Sequence, residues 1–308
     1  MTEMMMSKVV NRLGSDGVPS PGHIKLRGGR GRRHRIAATW WWVVGIVLAS
    51  LFLFPLVTMF ISTFKTSAEL GIRPTTILPR VFTFDNWHRL FDPSAGIMQG
   101  VWNSIVISTG TVILTVVVSV LAGYGFGRFR FRGSTSLFFV VLAGLMVPFT
   151  VLLTPLLVVL RGLGLTNNLV GVMLVYTVYQ LPFCIFIMRN AFFSIPNEIE
   201  EAALMDGCTR FGVLRRVFIP LVVPGIVTSA IFAFLNAWNE FLAALVLLTD
   251  QTKFTLPIML MVRQIGRYGA VDWGLLDTGI VVSMVPCLLI FFLLQRYYVS
   301  GIFSGAAK

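Results

Sequence analysis

Two sets of polar residues interrupt stretches that are otherwise apolar. Asn236, Asn239 and Glu240 stand at i, i+3 and i+4, near one face of a helix that also carries Ser229. Tyr176, Tyr179 and Gln180 repeat that spacing earlier in the chain. A carboxylate at membrane depth costs roughly 3 kcal/mol, so Glu240 has to face protein or water and not lipid. Aromatic faces beside amides suit a sugar, which offers apolar C–H faces and hydroxyls. The same side chains also join helices across a dry interface. Pathway lining and interhelical glue both remain open on the sequence alone.

A third constellation is acidic and lies outside the apolar runs. The segment Ser194-Ile195-Pro196-Asn197-Glu198-Ile199-Glu200-Glu201-Ala202-Ala203-Leu204-Met205-Asp206-Gly207 predicts a helix opened by a capping box of Asn197 and Glu200, with carboxylates in its first turn. Gly207 supplies the left-handed turn that stops it. Thr209 then caps a second short helix carrying Phe211, Leu214 and Val217 or Phe218, until Pro220 opens the next apolar run. Ala202 and Ala203 leave a flat face that can sink into a groove on another protein. An interfacial helix without a partner is the alternative, and acidic residues beside an anionic leaflet disfavour it.

Hydrolytic, redox and metal chemistry find little support. The three histidines, His23, His34 and His88, stand in no pattern with a nucleophile or carboxylate, and no zinc-protease helix motif occurs. Cys184, Cys208 and Cys287 are widely spaced, which argues against a disulfide framework or a zinc site. No phosphate-binding loop of the Walker type occurs, so the chain does not itself burn ATP. Gly123, Gly125 and Gly127 lack the strand and lysine of a phosphate cradle and read as close helix packing or a flexible helix end. No cofactor is expected on this chain.

The elements that position these residues are membrane spans. The 308 residues are 56% hydrophobic and 12% charged, against about 25% charged in an average soluble protein. A bilayer core about 30 Å thick needs roughly 20 apolar residues. Six stretches meet that need: Trp40 to Ser62, Trp102 to Tyr124, Leu137 to Leu160, Asn167 to Met188, Leu221 to Leu248 and Gly274 to Leu294. The first is too long for a signal-peptide core and is read as a retained helix. With the N-terminus inside, the inner segments carry 8, 3, 4 and 2 basic residues, 17 of the 25 Lys and Arg, and the outer ones 4, 1 and 3. Both termini then lie in the cytosol. The formal charge of +12 is therefore topology and not a nucleic-acid footprint. Residues 1–39, rich in Gly and Arg, are expected to be a disordered cytosolic tail, with Arg32-Arg33 as ordinary inner-side charge and no twin-arginine signal. Residues 40–308 are expected to form a six-helix transmembrane domain, with a cytosolic loop at 189–220. Trp40, Trp41 and Trp42 at one end and Tyr297 and Tyr298 at the other read as interfacial anchors. Prolines at 148, 155, 182, 224 and 286 are expected to kink the spans. Asp85 is expected to cap a short outer helix bearing Trp87, and the outer segments from Lys65 to Gly100 and from Gln251 to Trp273 form a candidate docking surface.

Glu201-Ala202-Ala203, then Gly207, then nine residues and Val217-Phe218-Ile219-Pro220 resembles the E-A-A-x-x-x-G-x9-I-x-L-P loop of permease subunits of binding-protein-dependent ABC importers. Phe82 to Trp87, Ala122 to Tyr124, Phe129 to Gly133, Pro148 to Pro155, Ala237 to Phe241 and Gln295 to Ala306 resemble the carbohydrate-uptake branch of that family, in particular its maltose-type second permease. Val217 and Ile219 stand where Ile and Leu are usual, and Cys208 where Ala is common. The resemblance covers about Phe64 to Lys308. It implies an all-α, six-helix type I importer fold in the cell membrane. It also implies a second similar permease, a dimer of ATP-binding subunits that hold ATP and magnesium, an extracytoplasmic solute-binding protein and surrounding lipid. By resemblance, Glu200, Glu201, Ala202, Ala203, Asp206, Gly207 and Pro220 belong to the element that couples to the ATPase. The solute it implies is a sugar or oligosaccharide, with glycerol-phosphate derivatives or polyols as the alternative. A secondary carrier or channel is the reading from a different class, and it lacks the internal repeat such carriers carry.

Overall fold

The computed structural model describes residues 30–71, 76–264 and 271–306, and the side chains of 40–295 within them. The tail before Arg30 and the side chains of Tyr297 and Tyr298 lie outside the described residues. All regular elements among them are helices: α1 (Arg30–Ser62), α2 (Asp85–Phe91), α3 (Ile97–Arg128), α4 (Ser134–Ala143), α5 (Phe149–Gly162), α6 (Leu169–Phe193), α7 (Asn197–Met205), α8 (Arg210–Leu221, with a π-helical stretch Leu214–Phe218), α9 (Val223–Asn239), α10 (Leu242–Leu247), α11 (Leu256–Arg263) and α12 (Trp273–Ala306), with short single turns between.

The chain divides into two units, 1–56 and 57–308. In the first, α1 begins at Arg30, so residues 30–39 are helical where an irregular tail is expected. Arg and Ala favour helix, and no proline intervenes between Pro21 and Pro55. From Trp40 to Leu56 no side chain of this apolar helix is buried, and Trp40, Trp41 and Trp42 are exposed.

Helices α1, α3, α6 and α12 are each long and apolar enough to cross a membrane, and two bent pairs bring the number to six when each pair is taken as one span. The stretch from Leu137 to Leu160, expected as one span, is broken: α4 and α5 meet at 105°. Val147, forced out of helical geometry by Pro148, is extended at φ −84° and ψ 119°. The stretch from Leu221 to Leu248 is also divided. Pro224, in the first turn of α9, leaves no amide to continue the helix before it, and α8 and α9 meet at 75°. The helix stops again at Glu240, whose backbone is extended at ψ 129°, before α10 resumes. Pro155, Pro182 and Pro286 sit inside continuous helices.

In the second unit the most extensive packing is α3 against α6, followed by α3 against α9. Gly123 and Gly127, one turn apart, explain the close approach. A Cβ on Gly123 would lie 2.9 Å from Arg189 N, and one on Gly127 3.2 Å from Arg189 O, whereas Gly125 faces open space. Three clusters make the core. The outer one joins Leu90, Ile97, Trp238, Leu256 and Leu275. The middle one joins Ile107, Leu153, Val172, Tyr176, Ala237 and Ala243. The inner one joins Val120, Tyr124, Met188, Phe192, Val213 and Phe218.

At one end of the bundle two asparagines clasp neighbouring segments. Asn103 donates to Thr252 O and Phe254 O, both at 2.9 Å. Asn167, with a left-handed φ of 51°, accepts from Thr249 N and Asp250 N at 3.1 Å each, and its own amide donates to Leu247 O. Asp85 is the first residue of α2 and not its cap; Thr83 Oγ1 takes the Asp85 amide at 3.1 Å instead.

Candidate functional site

The acidic loop folds as two short helices around a glycine. Pro196 occupies the position before α7 and makes no side-chain cap, so the expected capping box is absent. Asn197 is the first helical residue, and its Oδ1 accepts from Arg128 at 2.8 Å. The carboxylates Glu198 and Glu200 still lie in the first turn, where the helix dipole favours them. The end of α7 is a Schellman turn: Cys208 N donates to Ala203 O at 3.1 Å and Gly207 takes φ +81°. A Cβ at Gly207 would meet nothing within 4 Å, so the constraint there is conformational and not steric. Thr209 caps α8 by accepting from Gly212 N at 3.1 Å.

One face of this loop joins the inner core through Ala203, Cys208, Val213, Leu214 and Phe218. The opposite face is open. Glu201, Ala202, Asp206, Gly207 and Pro220 are exposed, as are Met205 at 88% and Phe211 at 67%.

Arg128, at the end of α3, ties this loop to the spans. It donates to Asn197 Oδ1 at 2.8 Å and to Ile195 O at 2.7 Å, lies over the Phe218 ring at 4.6 Å, and its Nε stands 3.9 Å from Glu200 Oε2. Its side chain is 4% exposed. In the sequence this residue reads only as inner-side charge, because every partner lies far along the chain.

Within the membrane, Tyr176, Tyr179, Gln180, Asn236 and Glu240 line one cavity of about 210 Å³, together with Thr111, Phe149, Ala233 and Ala237. Asn239 does not line it; its amide donates to Leu235 O at 2.8 Å on the exposed side of α9. As the last helical residue of α9, three positions on from Asn236, Asn239 stands about 60° round the helix from it, on the side away from Glu240, where its side chain meets Cys287. Glu240 sits in the gap between α9 and α10. Its carboxylate accepts from Ala243 N at 2.9 Å, from Ala244 N at 3.2 Å and from Tyr176 OH at 2.6 Å. A negative charge at the start of α10 also meets the positive end of that helix. The Tyr176–Glu240 bond therefore joins two helices, while Tyr179 stacks near Phe149 with centroids 4.4 Å apart. Thr111, Thr115 and Ser229 are buried hydroxyls without a hydrogen-bond partner. Each such group costs about 1–3 kcal/mol if nothing satisfies it. The described residues contain no group of His, Cys, Asp and Glu able to hold a metal.

Comparison with known proteins bears on the family of the chain. Residues 115–304 match the family described as the inner membrane component of binding-protein-dependent transport systems. The chain is similar to the probable ABC transporter permease protein YurM of Bacillus subtilis, 36% identical over 99% of this chain and 100% of that one. It is similar to the sulfoquinovosyl glycerol permease SmoH of Agrobacterium fabrum, 35% identical over 83% and 89%, and to the arabinooligosaccharide permease AraQ of Bacillus subtilis, 34% identical over 89% and 96%. Its fold is that of a chain in the crystal structure of a bacterial ABC transporter importing alginate, with a TM-score of 0.74, 24% identity and coverage of 87% of this chain and 98% of that one. The matched family, with full-length identity above 30%, makes this chain a multi-pass inner membrane permease of a binding-protein-dependent ABC importer, whose ATPase is a separate subunit.

Proposed function

We propose that this permease passes a sugar or oligosaccharide, working beside a second, similar permease and above a pair of ATP-binding subunits. The observation that carries the reading is the cavity in which Tyr176, Tyr179, Gln180, Asn236 and Glu240 converge from two helices. It offers aromatic faces, amides and hydroxyls. No cation lines it, and Glu240 places a carboxylate in its wall, so a neutral polyhydroxyl solute fits it better than a glycerol-phosphate derivative. Its volume of about 210 Å³ is below the roughly 300 Å³ at which complete ligand sites begin, as suits a half-site finished by another subunit. The relatives SmoH and AraQ, named for a sulfoquinovosyl glycerol and for arabinooligosaccharides, agree with a carbohydrate.

The exposed tip at Met205 and Phe211, with Glu198, Glu200, Glu201 and Asp206 beside it, is the surface we assign to the ATPase, and Ala202 lets α7 lie close in its groove. Movement of that groove reaches the spans through Arg128 and the inner core. The outer segments at 65–100 and 251–273 are the surface for the solute-binding protein, the exposed apolar spans face lipid, and nucleic acid is not a partner.

The test is Gly207→Val in the complete complex. A β-branched residue at φ +81° costs roughly 1–2 kcal/mol locally. Membrane insertion should be unchanged, and uptake should fall at least tenfold relative to binding-protein-stimulated ATPase activity. Normal uptake with normal ATPase activity in this variant overturns the coupling assignment. Mass spectrometry of the solute retained by the cognate binding protein tests the carbohydrate, and a phosphate-bearing solute there overturns it.

A further inference from the structure

The cavity has a wall that its sequence motifs do not announce. Thr111 on α3 is 1% exposed, lines the cavity, and has no hydrogen-bond partner for Oγ1. A hydroxyl in a helix ordinarily turns back to the carbonyl four residues earlier. Ser108 does so to Ser104 O and Thr177 to Met173 O, each at 2.7 Å. Thr111 does not, and both its donor and its acceptor capacity stay unused.

The other polar walls are differently committed. The Glu240 carboxylate is taken up by two backbone amides of α10 and by Tyr176. The Asn236 amide donates to Phe232 O at 2.9 Å, and Gln180 Nε2 turns to Cys184 Sγ at 3.9 Å. We propose, resting on the reading of this cavity as the solute pathway, that Thr111 is a specificity-determining contact whose hydroxyl bonds a hydroxyl of the passing solute. Glu240 then serves as a positioning residue that holds the break between α9 and α10. A threonine hydroxyl gives and takes a hydrogen bond, as does each hydroxyl of a sugar, so the contact selects hydroxylated solutes of any ring orientation and rejects analogues that lack the group.

The structure supplies its own control. Thr115, one turn along α3, is 0% exposed and equally without a partner, yet it does not line the cavity. In the complete transporter reconstituted with its binding protein and ATPase, Thr111→Cys, Thr115→Cys and Asn236→Cys are treated with the thiol reagent 2-sulfonatoethyl methanethiosulfonate, without nucleotide and after vanadate trapping with ATP. The native cysteines set the background. Labelling above background is expected at positions 111 and 236 in at least one state and at 115 in neither. Uptake is then followed at saturating binding protein with radiolabelled arabinotriose, diacetylchitobiose and maltotriose, using those the wild type takes up. Thr111→Val should lower the rate about three- to tenfold, the worth of one neutral hydrogen bond. Thr111→Ser should restore it, and Thr115→Val should leave both uptake and binding-protein-stimulated ATPase activity unchanged. Labelling at 236 but not at 111, or wild-type uptake by Thr111→Val, overturns the role of Thr111 and leaves the pathway reading standing. No labelling at either 236 or 111 overturns the pathway reading and Thr111 with it.

Discussion

The cytosolic loop and the membrane cavity are built on opposite principles. The turn of the loop is a local object: Gly207 and Thr209 act on neighbours within five residues. The cavity is a distant one, drawing Thr111, Phe149, Tyr176 and Asn236 from four helices. Local construction leaves the loop's tip free to be shaped by a partner, whereas the cavity exists only while the spans keep their register. The two meet at Arg128, where a residue on a span holds the loop by its first turn.

Breaking that junction should give the largest effect. Arg128→Ala strands Asn197 Oδ1 and Ile195 O and removes the contact over Phe218, a loss of about 3 kcal/mol for a buried charge with two charge-assisted bonds. Thermal unfolding of the solubilised complex should shift down and uptake should fall well below the ATPase rate. Wild-type coupling in Arg128→Ala would show that the loop needs no anchor. Glu240→Gln comes next. It keeps an acceptor for α10 but loses the charge at that helix start, so a loss of about 1–2 kcal/mol is expected, with α10 amides exchanging faster with deuterium. Unchanged exchange there would remove Glu240 from the break. The smallest contrast lies between two asparagines. Asn236→Ala should change uptake severalfold, and Asn239→Ala should change it by less than about twofold, a few tenths of a kcal/mol, as for surface substitutions. Equal effects would contradict the geometry that separates them.

The same contrast decides what was legible in the sequence. The apolar helices and the turn at Gly207 follow from composition and from short-range rules, and the structure carries them. Asn197 looked like a cap because Glu200 follows at the right spacing, yet Pro196 fixes the backbone before it and Arg128, 69 residues away, takes its side chain. The kinks at Pro148 and Pro224 are visible as prolines, but a bend of 105° at one and 75° at the other depends on neighbouring helices. Asn239 shares its spacing with Asn236 and Glu240, but the helix turn sets it on the other side of Asn236 from Glu240, outside the cavity. Thr111 has no signature at all, because an unused hydroxyl is defined by what surrounds it and not by its neighbours in sequence.

The clasp at Asn167 has a consequence for synthesis. Its left-handed backbone is held by Thr249 and Asp250, 82 and 83 residues later in the chain. At about 5–20 residues per second, the ribosome delivers those partners roughly 4–16 seconds after Asn167 has emerged. During that interval the turn between α5 and α6 is laid down without its clamp. This rim of the permease is consequently finished late in translation, after the segments of five spans have been made, and a ribosome stalled before residue 249 leaves a chain that is inserted but unclasped.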